Sequence, residues 1–227
     1  MVSLLLASAF FVGIHLFVSG TALRGRIVER IGERGFQGAF SLASLAGIVW
    51  MCSAYADSAT DPLWSAGAGL RWLALPVMLV AFLFVAVGLT SPSPTAVGGE
   101  SALEGEGAVR GIVRITRHPF LWGVALWAAM HLLLNGDLAS LVFFGALILL
   151  ALEGTRSIDR KRARALGGSW ERFRAATSNP PFLAIAQGRG SLRLGELGWW
   201  RIALALALYV GFLLLHPWIF GGNALPG

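Results

Sequence analysis

Six long apolar runs constrain this chain more than any other feature of its sequence. They lie at about residues 2–23, 36–56, 70–90, 119–134, 138–154 and 202–221. A helix needs about 20 apolar residues to cross the hydrocarbon core of a bilayer. Hydrophobic residues make up 56% of the chain and charged residues only 13%, so the sequence predicts an all-α, polytopic membrane bundle of about six transmembrane helices.

Two of the runs, 119–134 and 138–154, are shorter than the others and are separated by Asn135, Gly136 and Asp137. Asn and Gly adopt the left-handed backbone conformation that ends a helix, which predicts a tight helical hairpin. The first run is N-terminal, as in a secretory signal. It has no Lys or Arg ahead of its apolar stretch and is long enough to span, so we expect a retained helix.

The basic residues predict the orientation of the bundle. Seventeen of the eighteen Lys and Arg residues fall on one side of the six predicted spans, and only Arg71 lies on the other. Because positive residues mark cytoplasmic loops, both termini are predicted to lie outside the cytoplasm. The net charge of +6 also permits a nucleic-acid partner. Since the basic residues flank the spans, orientation and anionic headgroups explain them instead, and we expect bilayer contacts and no nucleic acid.

The connecting regions divide by composition. Residues 91–108 are rich in Pro, Gly and Ser, which is typical of a flexible cytoplasmic connector. Residues 155–200 are strongly basic, and their first part keeps apolar residues near helical spacing. That pattern predicts a helix lying in the membrane interface, with a solvated basic loop as the alternative. No internal repeat is evident, so we expect one membrane domain over residues 1–227.

The four histidines, His15, His118, His131 and His216, all lie in or at the edge of apolar runs. A buried histidine in a soluble core is usually satisfied by a hydrogen bond, but ionisable residues inside a membrane usually face a functional interior. Zinc and di-iron centres need Cys or carboxylates beside the histidines, and Glu153 is the one acidic residue within the predicted spans. Axial imidazoles in apolar surroundings suit a haem, and composition alone leaves these interpretations open.

Three segments of the chain carry a family resemblance. They are "GIHLFVSGTALRGRIVERIGERGFQGAFSLASLAG", "RITRHPFLWGVALWAAMHLLLNGDLASLVFFG" and "ATSNPPFLAIAQGR". Together they resemble the NnrU family, a group of bacterial membrane proteins linked to denitrification that includes the zeta-carotene isomerases. The resemblance covers about residues 10–220 and implies a multi-pass protein of the bacterial inner membrane.

The resemblance implies a pair of haem ligands. In the isomerases of this family two histidines are held to ligate a b-type haem, and by motif these fall on His15 and His131. Depth along the helices gives a different pairing, because His131 and His216 lie roughly 21 and 22 Å from their flanking arginines and His15 only roughly 13 Å. We keep His15 with His131 and hold His216 in reserve. The isomerases' cysteine three residues before the second ligand is Ala128 here, which disfavours a ligand switch through that position.

Other residues receive secondary roles from the same resemblance. His118 lies beside Arg117 and directly before Pro119, at the expected start of a helix. His118 is predicted to contact the substrate or, together with Arg114 or Arg117, a haem propionate, and a helix cap or headgroup contact is the alternative. Trp127 is predicted to flank a porphyrin or polyene, with simple packing as the alternative.

The resemblance also implies an enzyme. With haem b as cofactor and His15 and His131 as its catalytic ligands, the implied activity is redox-gated cis–trans isomerisation of a carotenoid-like polyene. A role in nitric oxide or denitrification metabolism is the other activity of the family. The implied partners are a hydrophobic small molecule or nitric oxide, together with a redox partner.

Two other functions stay open. The motif "TRHPFLWG", Glu153 and "SWERF" also resemble integral membrane methyltransferases of the isoprenylcysteine carboxyl methyltransferase type, which use S-adenosylmethionine. In that interpretation Trp170 and Phe173 replace the usual tyrosine pair. The third possibility is a non-catalytic assembly or regulatory subunit, which leaves no mark on a sequence.

Overall fold

The computed structural model describes residues 1–96, 98–103 and 107–225. Its α-helices are α1 (Val2–Gly13), α2 (Leu23–Ala56), α3 (Ala68–Thr90), α4 (Pro119–Asn135), α5 (Leu138–Ala176), α6 (Leu183–Ala186) and α7 (Trp199–Phe220). A π-helical turn, Ile14–Val18, continues α1, and 3₁₀ turns lie at Glu100–Leu103, Gly111–Arg114 and Leu194–Leu197. The all-α prediction is confirmed.

Four helices, α2, α3, α5 and α7, are long and apolar enough to cross a membrane. The other two apolar helices, Val2–Val18 and Pro119–Asn135, are shorter. With 17 residues, α4 is about 25 Å long, somewhat less than the roughly 30 Å of the hydrocarbon core. A membrane protein is therefore indicated, whereas the six-span count and the orientation of the termini stay predictions.

Two of the long helices extend beyond their apolar runs. Helix α2 begins at Leu23, so the arginines between residues 24 and 34, which the sequence placed in a loop, are helical. Helix α5 has 39 residues and is broken by a kink at Gly167; its first part, residues 138–166, is about 43 Å long, which still exceeds the hydrocarbon thickness of roughly 30 Å. Only its apolar part, 138–154, fits the membrane, and residues 155–176 form what we call the polar extension of α5. Gly32 and Gly167 interrupt α2 and α5 with non-helical backbone angles.

The predicted hairpin between α4 and α5 is confirmed. Asn135 ends α4, and Gly136 has a φ of 65°. A Cβ at Gly136 would lie 2.2 Å from the carbonyl oxygen of Trp64, so both the angle and the close approach require glycine. Asp137 caps α5, because its Oδ1 accepts a 2.7 Å hydrogen bond from the backbone N–H of Ser140.

The contacts divide the chain into two compact units. The first comprises residues 1–66 and 128–154, and the second comprises residues 67–127 and 155–227. In the first unit α1 packs against α2, and in the second α3 packs against α7. Two of the three boundaries between the units fall inside α4 and α5, and the third lies just before α3. The prediction of a single domain stays a prediction.

The second unit has a hydrophobic core in which α3, the polar extension of α5 and the 3₁₀ turns meet. Its buried members are Phe84, Val87, Ile112, Val113, Ile115, Trp170, Phe173 and Leu197. Helices α3 and α4 approach closely at Gly123, where a Cβ would lie 2.9 Å from the carbonyl oxygen of Ala81. This core holds the segment 111–118 against the start of α4.

The connector 91–108 lies partly outside the described residues, at 97 and 104–106. Its described part includes buried Ser93 and Pro94. The hydroxyl of Thr95 donates a hydrogen bond to the carbonyl oxygen of Arg117. This end of the connector is therefore tied to the turn that precedes α4.

Candidate functional site

His15 lies in the π-helical turn that ends the first apolar helix. The turn is closed by a 3.0 Å hydrogen bond from the N–H of Ser19 to the carbonyl oxygen of Ile14, so the helix ends at Val18 and not at the predicted residue 23. The His15 Nδ1 lies 2.7 Å from the carbonyl oxygen of Phe11. Because a carbonyl oxygen only accepts, Nδ1 carries the proton and Nε2 carries the lone pair.

Aromatic rings surround the His15 imidazole. The ring centroid lies 4.6 Å from that of Phe11 and 5.1 Å from that of Phe40, the second in an edge-to-face arrangement. π-Helical turns are rare and are often found at functional sites. The position thus combines an imidazole of fixed tautomer with apolar surroundings.

His131 lies on α4 in the same unit as His15. It is half-buried, and its ring stacks on Phe144 of α5 with centroids 5.3 Å apart and an interplanar angle of 26°. Phe144 in turn contacts Tyr55 edge-to-face at 5.7 Å. The hydroxyl of Tyr55 lies 2.8 Å from the Ser140 hydroxyl. Packing between α2, α4 and α5 therefore sets the plane of the His131 ring.

His216, the reserve ligand, lies on α7 in the second unit. Its Nδ1 is 2.7 Å from the carbonyl oxygen of Gly222, and its ring packs on Phe220 at 5.0 Å. The tautomer is therefore the same as that of His15, with the lone pair on Nε2. The structure places His15 and His131 together in one unit and His216 in the other, and the choice of ligand pair stays a prediction.

The second unit contains a charged cluster that the sequence did not reveal in full. Arg117 binds the carboxylate of Asp159, in the polar extension of α5, through two nitrogens, with Nε 2.9 Å from Oδ1. His118 Nε2 lies 2.7 Å from the same oxygen. Arg117 is 7% exposed and His118 3% exposed, so the cluster is largely shielded from solvent.

The pKa values in this cluster are shifted in directions that fix its charges. Burial lowers the pKa of His118, although the Asp159 carboxylate opposes that effect. His118 is therefore neutral at pH 7 and donates its Nε2–H to Asp159. Burial would raise the pKa of Asp159, but hydrogen bonds from His118 and Arg117 outweigh it and lower that pKa to about 2. The cluster thus contains one cation, one anion and a neutral imidazole.

Asn179 ties this cluster to the neighbouring segment 177–184. Its side chain accepts a 3.1 Å hydrogen bond from the indole N–H of Trp122 and donates one of 2.8 Å to the Thr155 hydroxyl. The Thr116 hydroxyl donates to the Asn179 carbonyl oxygen at 2.6 Å. The backbone N–H of Arg117 also donates to the carbonyl oxygen of Ser178 at 3.0 Å. These hydrogen bonds fix the position of the turn before α4.

Arg114, the other arginine proposed for a propionate, binds Glu196 instead. The Nε of Arg114 lies 2.8 Å from Oε2, and the backbone N–H of Gly111 donates to the same oxygen at 2.9 Å. The hydrogen bond from Arg114, followed by that from Gly111, lowers the pKa of Glu196 to about 2. Both arginines are therefore paired within the chain, and their contacts to a cofactor stay predictions.

The aromatic candidates occupy different positions. Trp127 is half-buried on α4. Trp170 and Phe173, the pair that the methyltransferase interpretation would use, are 0% and 3% exposed with ring centroids 5.4 Å apart. Both belong to the hydrophobic core of the second unit, which accounts for their residue types without a ligand.

Sequence reasoning missed Asp159, Asn179 and Tyr55 as parts of these networks. Asp159 stands in the basic run "SIDRKRAR", and Asn179 in the segment "SNPPF" already singled out by the resemblance. Asp159 is the one carboxylate in that run, and this was the available signal. The partner Arg117 lies 42 residues away, so spacing alone does not pair them.

The histidines differ from a multi-ligand metal site in their donor chemistry. Among the residues that the structure describes, no three His, Cys, Asp or Glu side chains lie close enough together to hold a metal ion. A haem needs only one or two protein ligands, usually imidazoles whose second N–H is held by a carbonyl oxygen. The hydrogen bond from His15 to Phe11 has this form, so His15 has the donor chemistry that a haem ligand needs.

Comparisons with known proteins agree with the resemblance seen in the sequence. A 15-cis-zeta-carotene isomerase of the chloroplast from Arabidopsis thaliana is 34% identical over 119 residues, which cover 50% of this chain and 32% of that protein. The enzyme of the same name from Zea mays is 37% identical over 82 residues, covering 36% of this chain and 22% of the relative. The matched part is thus about a third or less of either enzyme.

No solved structure matches the chain significantly. The NnrU protein family matches residues 3–224, nearly the whole chain. The match runs through both units, all seven helices and the three segments quoted above. This chain therefore belongs to the NnrU family.

Proposed function

We propose that this chain is a haem b-dependent membrane isomerase that converts a cis double bond of a linear, carotenoid-like polyene to trans. The observation that carries the proposal is its similarity to two 15-cis-zeta-carotene isomerases, within a family match to residues 3–224. The apolar helices support a substrate that enters from lipid.

His15 and His131 are the proposed axial ligands. The His15 Nδ1–H donates to the Phe11 carbonyl oxygen, which directs the lone pair of Nε2 toward a metal. The stacking of His131 on Phe144 holds its ring in one plane. When bound, haem b would supply a redox-active iron for the isomerisation. The rings of Phe11 and Phe40 give the His15 imidazole apolar surroundings, and Phe144 does the same for His131.

The same pair of imidazoles supports a role in nitric oxide metabolism as the second proposed activity. Nitric oxide is small and apolar, and it reaches a lipid-embedded site as readily as a polyene does. The setting that we propose is a bacterial inner membrane with a redox partner that supplies electrons. The two activities differ in substrate and share the ligands.

Purified protein tests the proposal directly. Detergent-solubilised wild type, expressed with ample haem supply, is expected to show a reduced b-type absorption spectrum. His15→Ala and His131→Ala are expected to lower haem content, and His216→Ala serves as the matched control that retains it. Loss of haem in His216→Ala together with retention in His15→Ala would assign the ligand pair to His131 and His216.

Activity is then measured on the haem-loaded protein. Reduced wild type is expected to convert 15-cis-zeta-carotene to its 15-trans form, which chromatography of the extracted pigment detects. In a separate sample, nitric oxide is added and the absorption spectrum is followed. A colourless wild-type protein that binds S-adenosylmethionine would refute the haem proposal and favour the methyltransferase. A coloured protein inactive on the polyene but reactive with nitric oxide would favour the second activity.

A further inference from the structure

A cavity of about 440 Å³ lies beside Arg117 in the second unit. Three arginines, Arg117, Arg174 and Arg189, and one acidic residue, Glu171, contribute to its lining, together with the hydroxyl residues Thr177 and Ser178. The charged side chains of the lining therefore sum to a positive charge. An electropositive concave site of this kind favours an anion.

Contacts within the chain fix the position of the Arg117 guanidinium before a ligand binds. The Asp159 carboxylate binds Nε and Nη2 of its guanidinium, and His118 fixes that carboxylate from another side. The remaining nitrogen, Nη1, makes no hydrogen bond to the residues that the structure describes. It is also not among the fully enclosed polar atoms. The two N–H groups of Nη1 are therefore left for a ligand in the cavity that Arg117 lines.

The other two arginines, Arg174 and Arg189, differ in how firmly their side chains are held by neighbouring residues. Arg189 donates to the carbonyl oxygen of Thr177 at 3.0 Å and to that of Ala175, which fixes it at the cavity wall. Arg174 pairs with Glu171 at 2.9 Å, but both side chains are more than half exposed. An exposed ion pair of this kind contributes little free energy. Arg174 can therefore turn toward an anion at small cost.

The surroundings of the cavity indicate where the anion comes from. Arg174 lies in the polar extension of α5, beyond the kink at Gly167 that separates this residue from the apolar part of that helix. Leu183 lines the cavity and is 40% exposed, and the preceding Phe182 is 47% exposed. Cationic donors beside exposed apolar side chains match a phosphate that carries acyl chains.

We propose that this cavity binds a phosphate group, supplied by the headgroup of an anionic phospholipid or by free phosphate. Arginine forks match the geometry of phosphate oxygens, which are held by paired N–H donors. This site contains neither of the proposed haem ligands, His15 and His131, and the proposal does not require that the chain bind haem. Arg117 supplies the buried donor, and Arg174 and Arg189 supply the outer ones.

The test uses the full chain purified in detergent and three probes. Inorganic phosphate, dioctanoyl phosphatidylglycerol and dioctanoyl phosphatidylcholine are titrated separately, with bound probe counted by native mass spectrometry. Wild type is expected to bind phosphatidylglycerol in preference to phosphatidylcholine. Binding of inorganic phosphate as well would identify a general phosphate site, and its absence would identify a lipid headgroup site.

Matched variants separate this cavity from general surface charge. Arg117→Gln is expected to weaken binding about tenfold and Arg174→Gln about threefold. Arg172→Gln is the control, because Arg172 lies on the same helix and lines a different cavity; its affinity is expected to equal that of wild type. If Arg117→Gln does not fold, the affinities of Arg174→Gln and Arg172→Gln for the anionic probes are compared, and that comparison is sufficient to test the proposal.

Three results would overturn the proposal. The first is a wild type that binds none of the anionic probes, and the second is an Arg172→Gln variant that loses as much affinity as Arg174→Gln, which would mean diffuse attraction. Haem content is measured in the same preparations. The third result is an Arg174→Gln variant that loses haem and phosphate binding together, which would assign the cavity to the cofactor. A failure of haem binding in wild type would refute the proposed function and leave the phosphate result unaffected.

Discussion

Replacing Asp159 by Asn removes the anion that Arg117 and His118 share. The pKa of Asp159 falls from its ordinary 3.8 to about 2, which corresponds to at most about 2.5 kcal/mol of stabilisation. Solvent screening of a side chain that is 18% exposed lowers this to about 1–2 kcal/mol. The variant also leaves the Arg117 guanidinium, 7% exposed, without a counter-charge, although Asn keeps one acceptor. We expect a total loss of about 2–3 kcal/mol.

The assay is thermal unfolding in detergent, followed by tryptophan fluorescence. A loss of this size corresponds to a fall in Tm of about 5–10 °C for a chain of this length. Glu171→Gln is the control, because the side chains of Glu171 and Arg174 are both more than half exposed. Loss of this ion pair is expected to shift Tm by about 1 °C. Equal Tm values for the two variants would refute the argument that burial makes the Asp159 cluster stabilising.

The remaining predictions use the same unfolding assay. The lowered carboxyl pKa of Asp159 means that the unfolded chain takes up a proton first as the pH falls, so Asp159 is expected to account for a loss of about 1–2 kcal/mol between about pH 4 and pH 2. Glu196 is expected to add to this loss in wild type and to account for the loss left in Asp159→Asn, which is expected to disappear in the Asp159→Asn, Glu196→Gln double variant. Gly123→Ala is expected to cost about 1–3 kcal/mol, because its Cβ would meet Ala81 and Val85 at 3.0 Å or less. Gly136→Ala is expected to cost more than about 2 kcal/mol, from its positive φ and the clash with Trp64, whereas Gly145→Ala, where a Cβ meets nothing within 4 Å, is expected to cost nothing. A Gly145→Ala variant as unstable as Gly136→Ala would contradict this reasoning.

Local rules predicted the features that depend on a few neighbouring residues. The helix that starts at Pro119 and the turn at Gly136 follow from proline geometry and left-handed glycine, and both are confirmed. The helix boundaries in α2 and α5 did not follow from hydropathy. Both charged extensions are rich in Arg, with Glu added in α2 and Ala in α5, and these residue types form helices as readily as apolar runs do. A helix boundary and a membrane boundary are therefore different quantities.

The geometry of the candidate site depends on tertiary contacts, which the spacing of residues in the sequence does not predict. His15 and His131 were named through the family resemblance, and the hydrogen bond from His15 to Phe11 and the stacking on Phe144 became visible only in the folded chain. The π-helical turn at His15 has no composition signal. Asp159 needed a partner 42 residues distant, and such pairs are set by tertiary packing and not by local pattern.

The turn before α4 has a consequence for biosynthesis. Thr116 and Arg117 bind the backbone of Asn179 and Ser178, and the first of these pairs is separated by 63 residues. At a translation speed of about 5–20 residues per second, roughly 3–13 s pass between the synthesis of the two segments that form this contact. The ribosome therefore makes α4 and the apolar part of α5 before it makes the residues that anchor the start of α4.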